Sequence, residues 1–461
     1  MQEDCSAVVV TTIARFAYDV LMPAERQQIP IASIPWDYIV IDEASMIPLM
    51  QILYPLYRVS TAKFIIAGDP MQIEPVVKSD LSKGENIYTM VGLTDFANPI
   101  TSPYDYEVVR LFTQYRSIPA IGEVFSRFAY SGLLQHNRPE TETQSLIFDT
   151  IPEIRPLTLL RFPIGKYENI YRIQALERRS CYHVYAALFT FEYIGKLAEE
   201  LYQKGYEKFR IGIISPYRAQ AEIIGRLLSK RKLPNGINVH VGTIHGFQGD
   251  ECEMIIAMLN PPRGMGKNGT AFINNKKVLN VAISRAKDYL VVMAPSQNTW
   301  NIHYLTGPNE IMELMAEKEE LFIEYQTPIL EQAIWGDDSY IDRNTYPTGH
   351  QNVNVYEQPE KRFEIRASED AIDVQFRENC VENKPISGEN ISELARMEAA
   401  AEAEERERQS FNIPEGFHRP ELDENIPLEK GYYILGRLDE CLYHEDVNEE
   451  IDMSRVVAIE D

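Results

Sequence analysis

The chain has 461 residues, of which 44% are hydrophobic and 25% charged, and a formal net charge of −24. These proportions suit a globular protein of two or three domains. No run approaches the ~20 consecutive apolar residues of a membrane span, and Met1-Gln2-Glu3-Asp4-Cys5 does not read as a signal peptide. The five cysteines, Cys5, Cys181, Cys252, Cys380 and Cys441, lie far apart without a C-x-x-C pair and read as reduced thiols of a cytoplasmic or nuclear protein.

Residues 1–100 read as the edge of a parallel α/β sheet. The runs Val8-Val9-Val10, Tyr38–Ile41 and Phe64–Ala67 are continuously apolar, as strands buried on both faces should be. Apolar segments at 13–21 and 46–57 can supply crossover helices. Two of the runs end in chemistry. Tyr38–Ile41 leads into Asp42-Glu43-Ala44-Ser45, and Phe64–Ala67 into Gly68-Asp69-Pro70-Met71-Gln72. A carboxylate pair at a strand end is an arrangement that can hold magnesium through Asp42 and take a proton from an attacking water through Glu43. An amide such as Gln72 can sense a γ-phosphate by hydrogen bonding.

Residues 105–325 repeat the alternation as a second α/β domain. Candidate strands are Thr158–Phe162, Phe209–Ser215, Val239–Thr243, Met254–Met258 and Tyr289–Met293. Candidate helices are Cys181–Lys204, Ala219–Leu228, Lys277–Lys287 and a closing one over 309–325. This stretch carries Gln114-Tyr115-Arg116, then Gly246-Phe247-Gln248-Gly249-Asp250-Glu251, then Asn280–Lys287. Arg116 and Arg285 are the cations to place on phosphates, because a forked guanidinium meets developing phosphoryl charge bidentately. Glu251 could accept hydrogen bonds from ribose hydroxyls, although a loop glutamate is usually only solvated.

From about residue 330 the pattern dissolves. Residues 331–461 hold about 33 acidic against about 13 basic side chains, roughly −20, which leaves the body nearly neutral. Residues 337–365 show no period, and Glu393–Arg408 is helix-prone but carries few apolar positions. The expectation is an acidic, largely disordered C-terminal extension over 330–461. An acidic tail on a neutral body leaves room for a local nucleic-acid groove.

In this order the motifs resemble the ATPase core of superfamily 1 helicases, in the branch of the nonsense-mediated-decay helicase, senataxin and the replication nuclease-helicase. Ile41–Ser45 matches motif II, Gly68–Gln72 motif III, Gln114–Arg116 motif IV, Val241–Glu251 motif V and Asn280–Lys287 motif VI. Ser215-Pro216-Tyr217-Arg218-Ala219-Gln220 resembles the S/T-P-Y-x-x-Q segment that precedes motif V. The resemblance implies two RecA-like parallel-sheet domains, the first incomplete, spanning 1–100 and 105–325. It implies ATP and Mg2+ as cofactors and single-stranded DNA or RNA as partner, with 5′→3′ travel. Asp42 would hold the metal and Glu43 would be the base. Gln72, Arg116 and Arg285 would meet the γ-phosphate, and Tyr115, Gly249 and Glu251 would bind the nucleoside. Thr11, Thr12 and Thr243 would touch the nucleic-acid backbone.

One departure stands out. No G-x-x-x-x-G-K-[S/T] phosphate loop occurs in the chain, and Gly264-Met265-Gly266-Lys267-Asn268 lacks both the first glycine and the hydroxyl. Two readings follow: the C-terminal part of a motor whose phosphate loop lies on further or separate polypeptide, or a degenerate core kept as a scaffold or nucleic-acid-binding subunit.

Overall fold

Wherever strands are buried on both faces, the chain forms them close to where its apolar runs fall. The computed structural model describes residues 8–16, 36–59, 61–75, 86–94, 107–140, 143–163, 174–175, 180–229, 231–247, 249–262, 265–299 and 301–336, with four short strands between 349 and 376. By contact the chain divides into two units. The first includes Met1–Pro70 and Glu74–Thr94, the second Met71–Ile73 and Asp95–Ala399.

In the first unit β1 (Tyr38–Ile41), α1 (Leu49–Arg58) and β2 (Lys63–Ile66) make a β-α-β unit, followed by the short α2 (Ile87–Met90). The strands run parallel, from Tyr38 opposite Lys63 to Ile41 opposite Ile66. Ile41, Ala44, Ile52, Ile87 and Tyr88 form their core. The expected strand at Val8-Val9-Val10 does not form: these residues join no strand, and Val8 and Val10 are 88% and 90% exposed. β-branched residues favour strands only where a sheet edge and packing neighbours receive them. Among the described residues, β1 and β2 pair only with each other. Of the helix expected at 13–21, Ile13–Arg15 forms a 3-10 turn, and 17–21 lie outside the described residues.

The second unit opens with β3 (Thr113–Gln114), α3 (Pro119–Ala129) and β4 (Gln135–His136). It continues through β5 (Leu157–Phe162), β6 (Gln174–Ala175), β7 (Cys181–Tyr182), α4 (Val184–Gln203), β8 (Phe209–Ser215), α5 (Arg218–Leu228), β9 (Ile237–Thr243) and β10 (Cys252–Met258). It closes with α6 (Lys276–Ser284), β11 (Ala286–Pro295), α7 (Thr306–Ala316), β12 (Phe322–Tyr325) and α8 (Thr327–Trp335). Six strands form one parallel sheet in the order β12-β5-β11-β10-β8-β9. Alternate side chains of each strand serve opposite cores. Met254, Ile256 and Met258 pack with α4, α5 and α8, while Ile255 and Ala257 pack with α3, α6 and α7. Its central strands β11, β10 and β8, covered on both faces, have no polar face, which is why they read as nearly continuous apolar runs, whereas the edge strands β9 and β12 are partly exposed.

Three of the boundaries that differ from the sequence reading move residues into another element. The closing helix stops at Ala316, and Phe322–Tyr325 instead adds an edge strand beside β5. The helix over 277–287 stops at Ser284, so Lys287 lies in β11. Cys181-Tyr182 forms a strand ahead of the long helix rather than its first turn. In addition, α8 carries the packed chain past residue 330 to Trp335, with Leu330 and Ile334 buried. Within the acidic extension, β13 (Gly349–His350), β14 (Val353–Glu357), β15 (Phe363–Ala367) and β16 (Ile372–Phe376) pair in the order β13-β14-β16-β15. The helix-prone segment Glu393–Arg408 lies outside the described residues.

Candidate functional site

In the first unit two strand ends deliver an acidic cluster. The Ala67 amide donates to the Ile41 carbonyl at 2.8 Å and the Ala44 amide to the Ala67 carbonyl at 2.9 Å, so the turns after β1 and β2 lie side by side. Asp42 and Glu43 are exposed there. Glu43 has left-handed backbone angles, φ 51° and ψ 36°, and its amide donates to Asp42 Oδ1 at 2.9 Å. That conformation costs a non-glycine residue about 1–2 kcal/mol, and strain of this kind collects at functional positions. Gly68, with φ +153°, could not carry a side chain: a Cβ would sit 2.7 Å from the Tyr88 hydroxyl and 2.8 Å from the Ala44 amide. Burial, and then the negative charges of Asp69, Glu43 and Asp42, push the Tyr88 phenol up to about 12.

In the second unit two distant segments are stitched together at the amino-terminal edge of the sheet. Arg116 follows β3, Glu251 precedes β10, and Arg285 sits between α6 and β11. Arg116 Nε donates to Glu251 Oε2 at 3.0 Å, and its Nη1 to the Ser284 carbonyl at 3.2 Å. Ser117 Oγ donates to the Ala286 carbonyl at 2.6 Å, and the Ile118 amide to the Lys287 carbonyl at 3.0 Å. Arg138 closes the junction from the side. Its Nη1 donates to the Arg116 carbonyl at 2.7 Å and the Lys287 carbonyl at 3.3 Å, and its Nη2 meets Asp288 Oδ1 at 2.6 Å. Lys287 Nζ lies 2.5 Å from Glu251 Oε1. Burial acts to raise the Glu251 carboxyl, but hydrogen bonds and charge from Lys287 and Arg116 outweigh it and hold the group below the usual glutamate range. Arg285 is only 1% exposed.

The Arg116 loop has its own support. Gln114 Oε1 accepts from the amides of Arg116 and Ser117 at 3.0 and 2.8 Å. Its Nε2 donates to the Ser117 carbonyl at 2.8 Å and lies 3.0 Å from His136 Nδ1. Tyr115 between them is 67% exposed, a free ring face at this edge.

The motif V segment crosses from one sheet edge to the other in eight residues, 244–251. Phe247 packs flat over the sheet because Gly212 and Gly242 have no side chains: a Cβ would lie 2.7 Å and 3.1 Å from its ring. Gly249 turns the chain with φ +86°, a conformation that favours glycine. Thr243 is buried at the carboxyl end of β9 and accepts from the Gly246 amide at 3.1 Å. The seven-residue β9 separates the two edges by about 20 Å at 3.3 Å per residue. Glu251, Arg285 and Arg116 therefore group at one edge, with Thr243 at the other. Gln72 belongs by packing to the second unit: Ile73 is in its core, and Asn280 Nδ2 donates to the Met71 carbonyl at 3.0 Å.

In the first unit Thr12 accepts from the Arg15 amide at 3.3 Å and Thr11 Oγ1 donates to the Thr12 carbonyl at 3.4 Å, so both hydroxyls serve a local turn. Sequence reasoning gave no role to Lys287, Arg138, Asp288 or Tyr88. Lys287 closes the Asn280–Lys287 motif, so its place was legible although its partner was not. Arg138 and Tyr88 lie in segments with no motif.

Two family models, each described as an AAA domain, match residues 4–80 and 96–297. Over 258 residues the chain is 29% identical to the 5'-3' DNA helicase ZGRF1 of Mus musculus, covering 55% of this chain and 12% of that protein. It is 25% identical over 266 residues to Helicase sen1 of Schizosaccharomyces pombe, covering 57% and 15%. It is 29% identical over 271 residues to the DNA polymerase alpha-associated DNA helicase A of the same organism, covering 57% and 37%. The chain thus spans well under half the length of these relatives.

Proposed function

We propose, for a chain that belongs to the superfamily 1 helicases of the nonsense-mediated-decay helicase, senataxin and replication nuclease-helicase type, that it supplies catalytic and nucleic-acid-gripping residues of a motor driven 5′→3′ along single-stranded DNA or RNA by ATP hydrolysis. The observation that carries the reading is the stitched junction of Arg116 with Ser284–Asp288, which gathers two guanidinium-bearing segments at one sheet edge. Phosphoryl transfer is catalysed chiefly by positioning and by positive charge on the phosphoryl oxygens. Segments tied by side-chain hydrogen bonds to backbone carbonyls can supply both with little reorganisation of the chain.

Glu43 takes the proton of the attacking water, held in place by its strained turn. Asp42 is suited to magnesium. That ion keeps several waters and needs only one or two carboxylates beside the phosphates. The donor fits: Asp42 is an exposed carboxylate at the strand end, with Oδ1 held by the Glu43 amide. Bound magnesium would neutralise charge between the phosphates. Gln72 and Arg116 meet the γ-phosphate, as does Arg285, 1% exposed in the chain as it stands, once its guanidinium is uncovered. Tyr115 stacks on the base, and the Gly249 turn borders the nucleoside. A ribose contact by Glu251 requires it to leave Arg116 and Lys287. Thr11, Thr12 and Thr243 give sequence-independent contacts to the nucleic-acid backbone.

The phosphate loop comes from further or separate polypeptide, so the 461-residue chain alone turns ATP over slowly or not at all. The test measures ATP hydrolysis with single-stranded DNA and with RNA, before and after adding a segment that carries such a loop. Added segment should bring turnover that Glu43→Gln lowers by about 10²–10⁴ and Arg285→Ala by about 10³–10⁵. Full turnover by the chain alone would refute the dependence on a supplied loop. Nucleic-acid binding with no turnover under any condition would favour the scaffold reading.

A further inference from the structure

Glu251 sits between two cations. Arg116 Nε is 3.0 Å from Oε2 and Lys287 Nζ 2.5 Å from Oε1, so both carboxylate oxygens are engaged. The three side chains are 34%, 24% and 36% exposed for Arg116, Lys287 and Glu251, open enough for an anion to reach them. The backbones behind both cations are held by hydrogen bonds, from the Arg116 amide to the Gln114 side chain on one side and from Arg138 and the Ile118 amide to the Lys287 carbonyl on the other. A carboxylate holding two cations whose backbones are hydrogen-bonded in place occupies the place of an anion.

We infer that Glu251 is a displaceable counter-ion, which holds Arg116 and Lys287 at the sheet edge until a polyphosphate takes its place, and that Lys287 is a phosphate-facing cation beside Arg116. The inference rests on the reading of this edge as the nucleotide side of the unit. It places a state before the ribose contact, in which the carboxylate is committed to one guanidinium and one ammonium partner. Phosphate oxygens accept from Arg and Lys at the same distances as carboxylate oxygens and carry more charge. On displacement, the released Glu251 becomes free to accept hydrogen bonds elsewhere.

Inorganic tripolyphosphate tests this, since it has no ribose and its binding requires neither turnover nor nucleic acid. A failure of the helicase reading in the hydrolysis assay therefore remains separable from a failure here. Binding to the full chain is measured by titration calorimetry, with melting curves to confirm folding. Glu251→Gln should tighten tripolyphosphate about three- to tenfold, the range expected for removing two partly exposed competing pairs. Lys287→Gln should weaken binding and cancel the gain when combined with Glu251→Gln. Glu253→Gln controls for net charge: Glu253 holds chiefly Arg210, at 3.1 Å, and lies 3.9 Å from Lys287, so its gain should be smaller. If Glu251→Gln does not fold, Glu251→Asp replaces it, as its shorter carboxylate cannot span both cations. Equal gains from both glutamate variants, or no binding by wild type and Glu251→Gln alike, overturn the inference. So does unchanged tripolyphosphate affinity with weakened ADP binding, the signature of a ribose ligand.

Discussion

Replacing Arg138 with methionine should lower the stability of the second unit by about 2–4 kcal/mol. Methionine keeps much of the apolar stem but removes the hydrogen bonds to the Arg116 and Lys287 carbonyls and the pair with Asp288. Both partners of that pair are about four-fifths buried, at 20% and 21% exposure. Its loss leaves a carboxylate whose other described contact is the Thr143 hydroxyl at 3.0 Å. Removing one member of a fully buried pair costs about 3–5 kcal/mol, and partial exposure discounts that figure. At about 2–4 °C per kcal/mol for a unit of this size, the melting temperature should fall by roughly 5–12 °C. Urea and thermal unfolding followed by circular dichroism would measure the change. Asp288→Asn in the Arg138→Met background should recover part of the loss, with a coupling of about 1–2 kcal/mol, because the orphaned charge is gone. An Arg138→Met protein within about 0.5 kcal/mol of wild type would refute the claim that this guanidinium clamps the two segments.

Gly122→Ala should destabilise the second unit although alanine is the better helix former by about 1 kcal/mol. A Cβ there meets the His136 ring and lies 2.8 Å from Gln114 Nε2, so the Arg116 loop must shift, read as a lowered melting temperature and weakened tripolyphosphate binding. The carboxyls of Glu200, Glu251 and Glu253 are held below the ordinary value of 4.5 by hydrogen bonds that outweigh burial. Their stabilisation is present above that value and lost as pH falls through the lower folded values. Urea midpoints should therefore be level near neutrality and drop under acid, with a shallower drop in Glu253→Gln. Removing 337–461 should strengthen binding to labelled single-stranded oligonucleotides, and the difference should shrink as salt shortens the Debye length from ~10 Å at 0.1 M to ~3 Å at 1 M. A cut at residue 331 also removes buried Ile334 and should lower the melting temperature, which separates electrostatic shielding from lost packing.

The apolar runs at Phe209–Ser215 and Met254–Met258 were legible because burial on both faces leaves a continuous local signal. Tyr38–Ile41 also forms its strand, but with Tyr38 and Val40 exposed rather than buried on both faces as its apolar run predicts. The motif residues at their ends were legible for a related reason: strand termination and a reactive side chain fall within a few positions, as in Ile41-Asp42-Glu43. The same rule failed at Val8–Val10, where an equally β-branched run found no edge and stayed exposed. It also failed at Phe322–Tyr325, a four-residue edge strand whose apolar signal is too short to separate from the preceding helix.

The sequence by itself determined which residues could perform phosphoryl chemistry and on which strands and turns they stand, since residue type and local period are properties of neighbours in the chain. Only the tertiary structure decided that Glu251 would hold Arg116, 135 positions away, and that Arg138 would clamp Asp288, 150 away. Those pairings follow from β11 lying between β10 and β5, which brings the segments before β10 and β11 to one edge beside the Arg116 loop. Sheet order is set by how distant apolar faces cover one another, and no short window of sequence records it.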